Sequence, residues 1–333
     1  MKWWLRLPAE LSHGLAAIGT RLYSLIELDK ETPVCNPLTW KNLYFKNRWG
    51  IAGGVDKNAD NVRDWWNLGC GFVEVGTVTL KPQSPNSGKI MDRSIPHEAL
   101  WNRMGFPGEG VNEVIANLQL CRPFRTPVFV NIGKSRTTTD AEAPSEYFRL
   151  FLKFRTLADA LVINISSPNT VGLRTWLEPA KLKSLIAPIA AVRIPSDPAL
   201  LLKLSPDQTD EELKTLMLTA WELGVEGFIL TNTTLSREGG LPFPPEGGAS
   251  GAPLRGRSEQ CLKLAVELFK SKSPRPLIVS VGGVMTADDV FARLKMGADL
   301  VQCYSALVYQ GPRFFKHIAR KWDNDFGAKK LIE

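Results

Sequence analysis

The stretch Leu200–Thr231 reads LLLKLSPDQTDEELKTLMLTAWELGVEGFILT and contains one complete unit of strand, helix and strand. Its two end runs, Leu200–Leu204 and Phe228–Thr231, are apolar on both faces apart from one lysine, as is typical of parallel strands buried between two layers. The joint LGVEGF at residues 223–228 predicts a helix that ends at a glycine and turns into the next strand. The unit therefore predicts parallel strands joined by crossover helices.

The same unit recurs along the chain from about residue 49. Eight apolar or β-branched runs are separated by stretches that can hold a crossover helix: Trp49–Gly53, Phe72–Thr77, Val128–Ile132, Leu161–Ile165, Leu200–Leu204, Phe228–Thr231, Leu277–Val281 and Leu300–Cys303. Similar glycine joints precede the second and the last of these runs. Eight repeats favour an α/β fold of the (β/α)8 TIM barrel type, with an open doubly wound sheet as the alternative.

Two shorter segments precede the predicted barrel. Residues 38–40 and 43–45 flank Lys41-Asn42 and predict a β-hairpin that covers the bottom of the barrel. Earlier in the chain, apolar residues at helical spacing predict an amphipathic helix that begins near Pro8: Leu11, Leu15, Ile18, Leu22 and Leu25. We therefore expect a small N-terminal helical segment over residues 1–33 and a barrel over residues 34–333.

Composition narrows the class of protein. Lys and Arg total 41 against 34 Asp and Glu, and the resulting net charge of +7 suits an anionic substrate, a phosphate cofactor or an acidic membrane surface. The sequence has no block of basic residues of the kind that binds nucleic acid, and its five cysteines and three histidines lack metal-ligand spacing. We expect reduced cysteines, no metal, and, because no long apolar run or signal peptide is evident, no membrane crossing.

Polar residues stand where the predicted strands end. Reacting groups of a (β/α)8 barrel stand at the C-terminal ends of its strands, so this pattern predicts the site there. The residues in question are Gly53, Gly54, Lys57, Thr77, Asn131, residues 164–170, Lys203, residues 231–233, Gly282, Gly283, Tyr304 and Ser305.

Lys203 lies between leucines within a predicted strand. Burying its charge is costly without a partner, so we expect it to face an anion such as the negative edge of a reduced flavin. A carboxylate of the barrel itself is the alternative partner. Gly282-Gly283 and Ser305, with the glycine-rich residues 247–251, indicate a phosphate site on the last two loops, although glycines also serve simple turns.

Amide and hydroxyl side chains are concentrated in NISSPNT at residues 164–170, NRMGF at 102–106 and TNT at 231–233. Turn chemistry alone can account for any one of them. Together they supply neutral donors and acceptors that match a ring of alternating C=O and N–H groups. The sequence offers no Ser, His and Asp set that would compete with this interpretation.

NISSPNT followed by Gly172-Leu173-Arg174, together with NRMGF, resembles the dihydroorotate dehydrogenases, and the similarity runs across essentially the whole chain. The resemblance implies FMN contacts from one set of strand-end residues: Gly53, Gly54, Thr77, Asn131, Asn164, Lys203, Thr231, Gly251, Gly283, Tyr304 and Ser305. It implies dihydroorotate contacts from a second set: Lys57, Asn102, Arg103, Met104, Gly105, Phe106, Asn164, Asn169, Asn232 and Thr233.

Ser167 falls where this family has its catalytic base. Serine there, and an N-terminal amphipathic segment, resemble class 2 of the family, which is associated with the membrane and uses a quinone. The resemblance implies oxidation of dihydroorotate to orotate in pyrimidine biosynthesis, with electrons passing through FMN to a membrane quinone. It also implies peripheral attachment on the cytoplasmic side of the membrane, with His13 and Arg93 near the quinone entrance.

One stretch and two single residues depart from the family pattern: residues 89–93, which read KIMDR, Val171 in place of a proline, and Ala252 in place of a basic residue. Two other functions stay open. One is a soluble class 1-like FMN dehydrogenase that uses fumarate or a nicotinamide-linked partner. The other is a catalytically silent barrel that binds flavin.

Overall fold

A closed barrel of parallel strands forms the body of the protein, and a computed structural model describes residues 2–26 and 34–326. The strands are β1 Leu38–Trp40, β2 Leu43–Phe45, β3 Trp49–Asp56, β4 Phe72–Val78, β5 Met91–Ser94, β6 Ala99–Asn102, β7 Val128–Ile132, β8 Ala160–Asn164, β9 Ala199–Leu204, β10 Gly227–Leu230, β11 Gly248–Gly251, β12 Leu277–Val281 and β13 Leu300–Cys303. The α-helices are α1 Ala9–Ile26, α2 Val62–Asn67, α3 Gly110–Cys121, α4 Ala143–Phe154, α5 Pro179–Ala190, α6 Asp210–Glu222, α7 Arg255–Phe269, α8 Ala287–Lys295, α9 Ser305–Gln310 and α10 Phe314–Phe326. Short 3-10 helices cover Trp3–Arg6, Leu173–Leu177 and Ala252–Leu254.

The barrel runs β3, β4, β7, β8, β9, β10, β12 and β13, and β13 pairs with β3 to close it. Every neighbouring pair in this order is parallel. All eight predicted runs are strands of this barrel, so the (β/α)8 prediction is confirmed and the open sheet is wrong. Most of their residues are buried on both faces, which explains the continuous apolar runs.

The unit from β9 to β10 shows how the sequence sets the ends of a crossover helix. Thr209 caps α6: its side chain accepts from the Glu212 backbone N–H, and the Glu212 carboxylate accepts from the Thr209 backbone N–H at 2.8 Å. This capping box satisfies two donors that the first turn leaves free. The chain leaves the helix through Gly224, two residues after the last helical residue, and its φ of +88° suits glycine. Both boundaries are therefore fixed by local chemistry.

A hairpin closes the bottom of the barrel, as predicted. β1 and β2 pair antiparallel, and Phe45 at the end of β2 is fully buried. Its ring lies 5.9 Å from that of Phe72 and 6.2 Å from that of Phe129, measured between centroids. Since Phe72 and Phe129 stand at the start of β4 and near the start of β7, these rings fill the N-terminal mouth of the barrel.

A three-stranded antiparallel sheet was not predicted. It has the order β11, β6, β5 and is formed by segments that follow β4 and β10. Met91–Ser94 is mostly polar, and Gly248–Gly251 begins and ends with glycine, so neither segment has the composition of a strand. The sheet carries Asn102 at the end of β6.

Helix α1 lies on the barrel with its polar face inward. Ser24 donates to Asp64 at 2.5 Å, and Asn61 donates to the carbonyl of Ala17 at 3.4 Å. The residues of the predicted apolar stripe are 45 to 60% exposed: Leu11, Leu15, Ile18, Leu22 and Leu25. Leu15 also borders the cavity described below. Of the predicted N-terminal segment, residue 1 and residues 27–33 lie outside the described residues, so the boundary at residue 33 stays a prediction. Within the described parts of the chain, every helix is too short or too polar to cross a membrane.

Candidate active site

A cavity of about 380 Å³ opens at the C-terminal ends of the strands and extends to Trp3 and Trp4 of the N-terminal segment. Nearly all predicted site residues line it: Gly53, Gly54, Lys57, Thr77, Asn102, Met104, Gly105, Phe106, Asn164, Ser167, Asn169, Lys203, Thr231, Asn232, Thr233, Gly251, Gly283, Tyr304 and Ser305. The barrel thus brings together side chains that are up to about two hundred and fifty residues apart in the sequence.

Amide groups from several elements meet at one wall of the cavity. Asn164 at the end of β8 donates to the Thr77 hydroxyl at 3.0 Å and accepts from Asn232 at 3.3 Å. Asn169 donates to Asn102 at 2.9 Å, and the side-chain oxygen of Asn169 is buried without a hydrogen-bond partner among the described residues. An unpaired buried acceptor of this kind favours a ligand that donates an N–H.

Ser167 is buried in the loop that follows β8, where its hydroxyl accepts from the backbone N–H of Asn169 at 3.2 Å. Arg174 fixes this loop. Its guanidinium donates to the carbonyl of Ser166 at 3.1 Å and pairs with Asp207 at 2.7 Å. The sequence interpretation quoted Arg174 only as part of a motif and missed that it holds the loop in place.

Lys57 follows β3 and contacts the N-terminal helix: its ammonium lies 2.7 Å from Nε2 of His13. Burial lowers the pKa of Lys57 to about 8. The nearby carboxylate of Asp56 raises this pKa, but its effect is smaller than that of burial. Burial, and then the charge of Lys57, lowers the pKa of His13 to about 4. At neutral pH the pair therefore consists of a charged lysine, available to an anion, and a neutral imidazole. Arg93 lines the same part of the cavity and donates to the carbonyl of Trp4 at 3.2 Å.

Lys203 lines the cavity and pairs with Glu74 at 3.1 Å. Glu74 is therefore the barrel carboxylate that we considered as the alternative partner of Lys203. The predicted ligand anion would be a second partner of the same lysine. The sequence interpretation missed Glu74, although a glutamate inside the run FVEV is the same kind of signal as Lys203.

Two predicted site residues do not line the cavity. The side chain of Asn131 is fully buried and donates to Glu74 at 2.6 Å, one layer below the lining. Arg103 points outward and donates to the carbonyl of Ser87 at 2.6 Å. The predicted direct contacts of these two side chains with a ligand therefore lack support in this geometry, because neither side chain reaches the cavity wall.

The last two loops form a cradle for an anion. Gly283 has φ +70°, and a Cβ there would meet the backbone of Arg255 at 2.3 Å, so only glycine fits. Arg293, which the sequence interpretation missed, is fully buried and donates to the carbonyl of Gly282 at 3.0 Å and to Ser280 at 2.9 Å. It braces the loop from below, and Gly283 and Ser305 line the cavity, where their backbone N–H groups are suited to a phosphate.

The donor set suits an organic ligand with a phosphate rather than a metal. Within residues 2–26 and 34–326, no group of three or more His, Cys, Asp or Glu side chains could hold a metal ion. Amides, hydroxyls and the lysines Lys57 and Lys203 line the cavity together with the glycine cradle, and this set of groups matches a polar ring joined to a phosphate.

Known proteins resemble this chain in sequence and in fold. The family model described as Dihydroorotate dehydrogenase matches residues 37–325. A protein of Marinomonas sp. named Dihydroorotate dehydrogenase (quinone) is 40% identical over 330 residues, covering 96% of this chain and 94% of the relative. A protein of the same name from Deinococcus radiodurans is 40% identical over 298 residues, covering 87% and 78%. A crystal structure of DHODH in complex with ferulenol from Eimeria tenella superposes with a TM-score of 0.84 at 30% identity, covering 97% of this chain and 92% of that one. On sequence and fold together, this chain belongs to the dihydroorotate dehydrogenase family.

Proposed function

We propose that this protein oxidises (S)-dihydroorotate to orotate in pyrimidine biosynthesis, with FMN as its cofactor and a membrane quinone as the final electron acceptor. The observation that carries the proposal is a continuous cavity that is lined by buried Ser167, by the amide wall and by the N-terminal segment. The names of the curated relatives support the same reaction and the same acceptor.

The residues present fit FMN. Lys203, Asn164 and Thr231 offer charge and hydrogen bonds to a flat polar ring, and the glycine cradle with Gly251, Gly283 and Ser305 offers backbone donors to a phosphate. The side-chain oxygen of Gln302, a residue that lines the cavity, has no hydrogen-bond partner among the described residues and supports the same fit, since a flavin ring carries an N–H that could donate to it. When bound, the flavin supplies a two-electron acceptor for hydride from C6 of the substrate.

The chain's own residues bind the substrate and take its proton. Lys57 is the cation suited to the carboxylate of dihydroorotate, and Asn102, Asn169 and Asn232 are suited to its ring amides. Ser167 takes the proton from C5. An ordinary serine hydroxyl is a weak base, so the proton must move on through a neighbouring group or water, and burial of Ser167 limits the routes.

The N-terminal segment suits access by a quinone from a membrane. The cavity continues between α1 and the barrel to Trp3, Trp4 and Leu7, and the apolar stripe of α1 is exposed beside it. Tryptophan and basic residues at the start of such a helix favour the interface between membrane and water. We therefore propose peripheral attachment on the cytoplasmic side, with His13 and Arg93 near the quinone entrance.

The experiment is a steady-state assay of orotate formation by the full chain in the presence of liposomes. A long-tailed quinone should support turnover, and fumarate or NAD⁺ should not. Turnover with fumarate or NAD⁺ alone would favour the class 1-like alternative. A flavin-bearing protein with no turnover under any acceptor would favour the catalytically silent barrel.

A further inference from the structure

Glu74 on β4 is a fully buried carboxylate on which three other barrel strands converge. It accepts from Asn131 on β7 at 2.6 Å, from Lys203 on β9 at 3.1 Å and from Gln302 on β13 at 2.5 Å. On β3, a Cβ at Gly53 would lie 2.3 Å from the carboxylate, so glycine leaves room for it. Four strands are thus built around one acidic group beneath the cavity.

This carboxylate sets the orientation of two amides. An ionised carboxylate can only accept hydrogen bonds, so Asn131 and Gln302 must both turn their NH₂ groups toward it. Their oxygens are then left buried without a partner among the described residues. Gln302 and Lys203 both line the cavity and both donate to the Glu74 carboxylate, so this amide and this ammonium lie close to each other at the cavity wall.

Glu74 also offsets a charge. The Lys203 ammonium and the Glu74 carboxylate are both buried, and their charges compensate each other whether or not a ligand is bound. A ring that contacts Lys203 interacts strongly with its positive charge. The same ring interacts more weakly with the negative charge of Glu74, which lies one layer below. The carboxylate therefore reduces the extra stability that Lys203 gives to a negatively charged ring.

We propose that Glu74 is a positioning residue of the flavin site, which orients the amides of Asn131 and Gln302 and lowers the reduction potential that Lys203 would otherwise impose on the flavin. The inference rests on the proposed function, because it takes FMN as the ligand. A lower potential favours onward passage of electrons to the acceptor over retention on the cofactor. The carboxylate itself contacts neither substrate nor cofactor in this account.

The test is the midpoint potential of the bound flavin in Glu74→Gln, measured together with the FMN content of the purified chain. Glutamine removes the negative charge and keeps the shape, so the potential should rise by at least about 30 mV, which corresponds to a tenfold shift in a two-electron equilibrium. Gln302→Met removes a donor from the carboxylate and leaves its charge less compensated, so the potential should fall. Shifts of opposite sign are not expected from loss of structure alone.

Glu146→Gln is the matched control. Glu146 is also a buried carboxylate, but it accepts from the backbone of Leu80 at 3.3 Å and of Ser135 at 3.2 Å, and neither of these residues lines the cavity. The flavin bound to Glu146→Gln should have the same midpoint potential as the flavin bound to the wild type.

Two outcomes overturn the inference. If Glu74→Gln folds and holds FMN at the wild-type potential, Glu74 has only a structural role. If Glu74→Gln does not fold, an unchanged potential in Gln302→Met overturns the inference in its place. Failure of the proposed function would be visible separately, in a wild-type chain that binds no flavin or forms no orotate.

Discussion

Ser167 is the residue on which the proposed chemistry depends most directly. It is buried, lines the cavity and lies in a loop that Arg174 fixes through the carbonyl of Ser166. Ser167→Ala should retain FMN and bind dihydroorotate, because the amide wall and Lys57 are untouched. Anaerobic flavin reduction should slow by about 10²–10⁴-fold, the usual contribution of a positioned general base. Stopped-flow absorbance measures this rate, and a rate near that of the wild type would remove Ser167 from the mechanism.

Lys203 gives a prediction about the cofactor. Lys203→Ala removes a charged hydrogen bond, which typically contributes ~1.5–3 kcal/mol, so FMN should be retained less well or should be harder to reduce. The substitution also leaves Glu74 buried without its cation, so the free energy of unfolding of the apoprotein should fall. Flavin content, midpoint potential and denaturant unfolding measure these effects. Full occupancy at an unchanged potential would contradict the assignment.

Lys57 makes substrate binding depend on pH. With its pKa lowered by burial to about 8, Lys57 is charged at neutral pH and loses its proton as the pH rises through about 8. The Kd of orotate, followed by the spectral change of the flavin, should therefore be constant below this pH and should increase above it. Lys57→Met should bind weakly throughout, without that inflection. A wild-type Kd that stays constant to pH 10 would show that Lys57 does not hold the carboxylate.

At the residue scale, the sequence revealed polar side chains that stand directly at strand ends, because barrel geometry sends those side chains to one place. It did not reveal which of them would reach the cavity: Asn131 contacts Glu74, and Arg103 points outward. Glu74 and Arg293 were missed because each acts one layer below the lining. Their partners are distant in the sequence, and only the closed barrel brings them together.

At the scale of elements, the barrel strands were predictable because burial on both faces gives continuous apolar runs. β5 and β11 were not, since Met91–Ser94 and Gly248–Gly251 form strands only through pairing with β6. The helix α1 was predicted from its apolar stripe, but the side that contacts the barrel is the polar one, through His13, Ala17 and Ser24. Periodicity locates an apolar face without stating what covers it.

The exposed stripe of α1 gives a prediction for this element. Replacing Ile18, Leu22 and Leu25 together by serine should abolish binding to liposomes and slow electron transfer to a long-tailed quinone, because in the proposed attachment this apolar face enters the membrane interface and none of the three residues lines the cavity. Flavin reduction by dihydroorotate should persist, since the contacts of His13 and Ser24 with the barrel remain. Vesicle sedimentation and quinone reduction measure the two effects.

The matched control replaces Leu120 and Leu152, which are exposed on α3 and α4, by serine. This variant should bind liposomes and reduce quinone as the wild type does. A stripe variant that still binds vesicles and reduces quinone at the wild-type rate would contradict the membrane role of α1.

At the scale of the whole molecule, one cavity connects the centre of the barrel to the N-terminal segment. In the proposed reaction, a polar substrate is oxidised and an apolar acceptor is reduced. A continuous cavity allows both half-reactions to use one cofactor, although the substrate and the acceptor do not contact each other. A soluble acceptor would not require an exposed apolar helix beside the opening.

The most direct measurement is an anaerobic titration of the full-length purified protein, followed by absorbance. The protein should be yellow, and dihydroorotate should bleach it with one equivalent per flavin. Addition of a quinone should then restore the colour, whereas fumarate or NAD⁺ should not. A protein that stays yellow with dihydroorotate, or a bleached protein that only fumarate or NAD⁺ reoxidises, would contradict quinone-dependent dihydroorotate oxidation.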